Sequence, residues 1–100
     1  MFRTITLEVG EREVIGIEVD LPKTKLVALM SEQGYIMCGA LDVKLLDDRL
    51  GDRKIVAGRA FGIRKCEDLL TANLESVTSA ARERGILPGM NGAEALMKMF

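Results

Sequence analysis

The chain has no histidine and no tryptophan, and only one tyrosine and three phenylalanines among its 100 residues. Without histidine it lacks the commonest general base and the commonest nitrogen ligand for metals. Scarce aromatics leave no platform on which the bases of a single strand stack. An excess of one charge is also missing, since 14 basic residues face 15 acidic ones and the net charge is −1. Nucleic-acid binding needs a clustered basic surface, so no nucleic-acid partner is expected. No apolar run approaches the roughly 20 residues of a membrane span. The opening "MFRTITLEV" also lacks the charged-then-apolar order of a signal peptide. No membrane partner and a cytoplasmic location are the expectation. The only two cysteines, Cys38 and Cys66, then read as free thiols of a reducing compartment. Two cysteines without histidine fall short of the four ligands of a structural zinc site.

What is present is an aliphatic globular chain, 48% hydrophobic and 29% charged, long enough for one domain over residues 1–100 and one core. "FRTITLEV" alternates, placing Ile5, Leu7 and Val9 opposite Thr4, Thr6 and Glu8, as a half-buried strand does. A second alternating run sets Ile15, Ile17, Val19 and Leu21 against Glu18 and Asp20. The two make a hairpin about Gly10, and Pro22 ends the pairing. "TKLVALM", apolar on both faces, reads as a central strand, and "YIMCG" as a short one after a turn at Gly34. From Asp42 the period changes to a helix over Val43–Leu50, closed by Gly51. A later strand is expected over Ile55–Phe61, with a small-residue face of Gly58, Ala60 and Gly62. "KCEDLL" reads as a helical turn. Two more helices are expected. One spans Leu74–Arg84 with Asn73 as cap and Leu74, Val77 and Ala81 inward; the other spans Ala93–Phe100 behind Asn91, with Ala93, Leu96, Met97 and Phe100 inward. Early strands and late helices argue an α+β fold: one compact domain with a mainly antiparallel or mixed sheet, built from N-terminal hairpins plus one later strand, and three main helices.

The residue pattern that carries most chemistry is "GYIMCGALDV". Cys38 ends a strand, Gly39 lets backbone approach closely, and a helix begins within about a turn, where unpaired N–H groups favour an anion or a thiolate. The plain alternative is a cysteine packed as a small hydrophobe. Candidate neighbours are Lys23, Asp42 and Arg59. Asp42 also suits a helix cap, and Lys23 a solvated turn. Arg59 lies on an otherwise apolar strand face, so it must be paired with Asp42, Asp47 or Asp48, reach solvent, or line a pocket. Cys66 stands beside Arg64 and Lys65, which favour a thiolate. "GRAFGIRK" lacks the ending of a phosphate loop and "DDRLGD" the spacing of a calcium loop.

Taken together, "LPKT", "GYIMCGALDV", "IVAGRAFGIR", "LLTANLESVTSAARERGI" and "GMNGAEALMKM" resemble the YunC-like family of small bacterial and archaeal proteins, a domain of unknown function. The resemblance implies a compact α+β domain, and no reaction, cofactor or catalytic set. Three functional readings follow from the residues. The first is a small-ligand binding or regulatory module at the Cys38–Gly39 turn, with Asp42, Arg59 and Lys23 around it and a small anionic ligand. The second is a thiol-dependent enzyme or redox protein using Cys38 as nucleophile. The third is an assembly protein joined through the Gly58/Ala60/Gly62 face or an edge strand. A homo-oligomer, most simply a dimer, is expected from the apolar content.

Overall fold

A computed structural model describes all residues, 1–100. β1 (Phe2–Val9) and β2 (Arg12–Leu21) form the expected hairpin. The chain turns at Pro22–Lys23, Lys23 adopting a left-handed φ of 63°, into β3 (Thr24–Met30). β4 (Gly34–Met37) follows antiparallel, α1 (Val43–Leu50) crosses over, and β5 (Val56–Arg59) returns parallel to β4. α2 (Cys66–Thr71), β6 (Ser76–Val77), α3 (Ser79–Glu83) and α4 (Gly92–Met97) complete the chain. The result is a mixed six-stranded sheet in sequential order, a single α+β domain.

The two faces of the sheet are covered unequally. α2 and α4 lie over the inner face, where Val14, Val27, Leu29, Ile36, Leu69, Leu96 and Met99 are fully buried. On the outer face only α1 packs, and only over the β4–β5 half, where Leu41, Val43, Leu46 and Ala57 form a small second cluster with Tyr35 and Met37 around it. α1 begins where its residues require, with the Asp42 carboxylate accepting the Leu45 N–H at 3.0 Å. At its other end Gly51 stays right-handed and continues into a short 3-10 turn, so Lys54 rather than Gly51 takes the left-handed position.

Several expectations are corrected. In β2 the buried side is Val14, Gly16 and Glu18, while Ile15 is exposed and Ile17 and Val19 are only partly covered. Gly16 decides this: a Cβ there would stand 2.6 Å from Cys66 Sγ and 2.8 Å from Leu29 Cδ2, so α2 seats on the side that has no side chain. Gly34 does not serve as a positive-φ turn residue. Its Cβ would lie 2.5 Å from the Val56 carbonyl oxygen, so its role is close approach of β4 to β5.

The expected helix over Leu74–Arg84 is extended in its first third. Backbone donors there find distant acceptors instead of helical ones: Leu74 N–H donates to the Met90 carbonyl, and Glu75 N–H and Thr78 N–H donate to Arg59 and Ala57 of β5. Leu74 and Val77 press onto Gly58 and Ala60 is fully buried, so these two residues of the small-residue face are covered within the chain, while Gly62 lies beyond β5 and is exposed. Thr78, not Asn73, caps the helix, and Asn73 instead bridges to Asn91. In α4 the inward set is Gly92, Ala95 and Leu96, followed by Met99, and Met97 faces out. The Asn91 side chain does cap this helix, accepting the N–H groups of Ala93 and Glu94.

Candidate functional site

The site begins with the only parallel pair of strands. β4 ends at Met37 and β5 at Arg59, side by side in register. The chain leaving β4 goes to α1 on the outer face, and the chain leaving β5 goes to α2 on the inner face. Neighbouring parallel strands whose connections part to opposite faces leave a crevice beyond their carboxyl ends. Here that crevice is an open groove of about 440 Å³, lined by Thr24, Lys25, Cys38–Ala40 and Phe61–Arg64. Its size falls within the range of small-molecule sites. Gly39 is required by its wall, because a Cβ there would be 2.9 Å from the Phe61 ring.

Cys38 is 5% exposed, and its position has a backbone explanation. Its N–H continues the β3–β4 ladder by donating to the Val27 carbonyl at 3.0 Å. The next ladder bond comes from the Val27 N–H, which reaches Cys38 Sγ at 3.4 Å instead of a carbonyl. The Cys38 carbonyl is thereby free to accept the Leu41 N–H at 3.2 Å as the chain turns away. The sulfur completes the sheet edge while the backbone leaves it. The thiol therefore faces β3 and the groove floor, and the start of α1 is capped by Asp42.

Arg59 is held by Glu75, not by Asp42, Asp47 or Asp48. Its Nε and Nη2 donate to Glu75 Oε1 at 2.9 and 2.8 Å, and its Nη1 donates to the Leu41 carbonyl at 3.0 Å. The guanidinium also stacks over Phe61, 5.0 Å from the ring centroid. The Ser76 hydroxyl and Arg59 hold the Glu75 carboxyl below its usual range. Arg59 thus ties the Cys38–Leu41 turn to the Phe61 loop from behind. Lys23 lies in the β2–β3 turn outside the groove lining, whereas Lys25 and Arg64 are part of it.

Beside the groove lies a carboxylate that periodicity assigned to the solvent side. Glu18 is 2% exposed and accepts from two donors, the Cys66 N–H at 2.9 Å and Arg3 Nη2 at 2.6 Å, with Lys25 Nζ forming an ion pair at 3.7 Å. The Cys66 N–H lowers its pKa most, and Arg3 and Lys25 add to this against the opposing effect of burial. Glu18 thereby supplies the anion at the start of α2, a role usually given to a local cap residue. Burial and then the Glu18 charge push the Cys66 thiol up to about 12, so the expected activation by Arg64 and Lys65 is reversed. The signal for Glu18 was Gly16, a strand glycine two residues away on the same face.

Residues 37–99 match the profile of the domain of unknown function DUF1805. The chain belongs to this family. As a DUF1805 domain it is similar to the uncharacterized protein YunC of Bacillus subtilis, with 58% identity over 85 residues that make up 85% of this chain and 84% of that protein. Its fold is also similar to the crystal structure of a protein of unknown function, TA1206, from Thermoplasma acidophilum. That match has a TM-score of 0.88 at 25% identity and covers 100% of this chain and 94% of the other. The matched DUF1805 region runs from the end of β4 to Met99, so it contains the Cys38 turn, Arg59 and the Phe61–Arg64 loop while leaving the N-terminal hairpins outside.

Proposed function

We propose that this DUF1805 domain is a small-ligand binding module whose site is the groove beyond β4 and β5. The observation that carries the reading is topological: the groove lies where the connections of the single parallel pair part to opposite faces, the place such sheets use for ligands. Phe61, Ile63 and Ala40 offer apolar wall, and exposed Arg64 offers a guanidinium that no ion pair of the structure uses. A small organic anion with an apolar body fits this lining. The anion is met by Arg64 rather than by a helix start, because Asp42 and Glu18 already occupy the first turns of α1 and α2. A thiol-dependent reaction has less support, since Cys38 Sγ is committed to the Val27 N–H and the chain has no histidine to act as base.

Benzoate serves as a probe in a ¹⁵N amide titration by NMR. The expected result is saturable shifts confined to Cys38–Leu41 and Phe61–Arg64, weakened at least severalfold by Arg64→Ala. Absent shifts, or shifts spread over other surfaces, would overturn the reading.

A further inference from the structure

At the opposite end of the parallel pair, where β4 and β5 begin, we infer a second site that takes a small phosphate monoester with a hydroxyl-bearing body. It is an open groove of about 460 Å³ between the β3–β4 turn and the segment leading into β5. Backbone bonds fix both walls. The Ser31 N–H donates to the Gly34 carbonyl at 2.8 Å, and the Gln33 N–H to the Met99 carbonyl at 2.7 Å. Across the groove the Lys54 N–H donates to the Gly51 carbonyl at 3.1 Å and closes the 3-10 turn. Gly34 joins the walls, because it has no side chain to hold Val56 away. A groove with fixed walls needs little ordering to take a ligand.

The charge of the occupant follows from two cations. Arg53 and Lys54 are both exposed, line the groove and enter none of the ion pairs of the structure. Two adjacent cations match a phosphate monoester, which carries about −1.5 to −2 near pH 7, better than a single carboxylate. Lys54 also holds a left-handed φ of 51°, a conformation that glycine takes without strain, so the backbone alone gives no reason for a lysine there.

The body of the occupant follows from the rest of the lining. Ser31 Oγ is screened from solvent and has no hydrogen-bond partner, the only buried side-chain oxygen or nitrogen so placed in the chain. Such a hydroxyl is costly to leave unpaired. Nothing holds it, so a turn about χ1 toward the groove loses no bond. Tyr35 and Ile55, both packed against the α1 cluster, give apolar surface to the C–H face of a ring. Burial raises the Tyr35 phenol above its ordinary value, so it stays a donor at neutral pH. Exposed Glu32 and Gln33 suit hydroxyl groups, and the Glu32 carboxylate repels a second phosphate. The class selected is a sugar or polyol monophosphate.

The test is a ¹⁵N amide titration with ribose phosphorylated on its primary hydroxyl, beside ribose and inorganic phosphate. Expected are saturable shifts confined to residues 31–35 and 53–56, with ribose and inorganic phosphate each bound roughly tenfold more weakly or worse. Lys54→Gly suits the turn, so its Tm stays at or above wild type while ribose phosphate binds roughly tenfold more weakly. Ser31→Ala removes an unpaired hydroxyl, so it also keeps its Tm while binding severalfold more weakly. Absent or unsaturable shifts, either control bound as tightly as ribose phosphate, or either variant binding as tightly as wild type overturns the proposal. Binding lost only together with Tm in both variants overturns it as well. These shifts lie at the end of the sheet away from the Cys38 turn, so this site and the benzoate site stand or fall separately.

Discussion

Replacing Glu18 by glutamine keeps the size of the side chain and removes its charge. Both carboxylate oxygens accept from donors, Oε2 from the Cys66 N–H and Oε1 from Arg3. A glutamine has only one acceptor to offer and must aim its amide nitrogen at the other donor. Arg3 is more than half exposed and can turn to water, whereas the Cys66 N–H is buried at the start of α2. The substituted amide therefore keeps the Cys66 bond and loses the one to Arg3, along with the charge that strengthens both. Hydrogen bonds to charged groups contribute about 1.5–3 kcal/mol, so the net loss is about 2 kcal/mol. With a urea dependence of about 1–3 kcal/mol per molar, this moves the midpoint down by about 1 M at neutral pH. Arg3→Ala removes only the exposed partner and costs about 1 kcal/mol or less. The pH dependence gives a second readout. The Glu18 carboxyl in the fold lies below its ordinary value of 4.5, so the unfolded chain takes up a proton first on acidification. Its contribution is complete above about pH 5 and is lost as the pH falls through the depressed native value. Urea unfolding followed by circular dichroism along a descending pH series should show wild type losing its advantage over Glu18→Gln. Equal midpoints at neutral pH with parallel acid profiles would refute the account of Glu18 as the buried anion of α2.

Thr78→Val should lower stability by about 1–3 kcal/mol, read as a lower Tm, because it leaves the buried Ala57 N–H without its acceptor and removes the cap of α3. An unchanged Tm would show that the hydroxyl does not link β5 to α3. In native protein, iodoacetamide followed by mass spectrometry should modify Cys38 faster than Cys66, since Cys38 lines the groove while Cys66 is fully buried with its thiol pushed up to about 12. Equal rates at both sites would mean that labelling proceeds through global unfolding and that the groove gives no access to Cys38.

The strands, the hairpin and α1 were legible because each satisfies itself over neighbouring residues. Alternation marked β1, unbroken apolarity marked β3, and Asp42 followed by an i, i+3, i+7 stripe marked α1. The Cys38 turn was legible as a place where strand gives way to helix, and so as a candidate site. Which way the thiol points was not, because its partner is the Val27 N–H on another strand.

Local pattern misled wherever a distant residue supplied the stronger term. Leu74–Val77 has helical spacing, yet the space above Gly58 and the carbonyls of Ala57, Arg59 and Met90 draw it into an extended run. β2 presents its isoleucines to solvent because Gly16 admits Cys66 and Leu29 on the other side, and Glu18 follows Gly16 inward to meet the Cys66 N–H. By itself the sequence determined the class of fold, the order of most elements and the absence of histidine chemistry, since these depend on composition and on contacts within a few residues. The tertiary structure alone decided which face of β2 is core, that Arg59 pairs with Glu75, and that the loops after β4 and β5 part to leave a groove. Each of those depends on residues tens of positions apart, brought together only when the sheet closes around its helices.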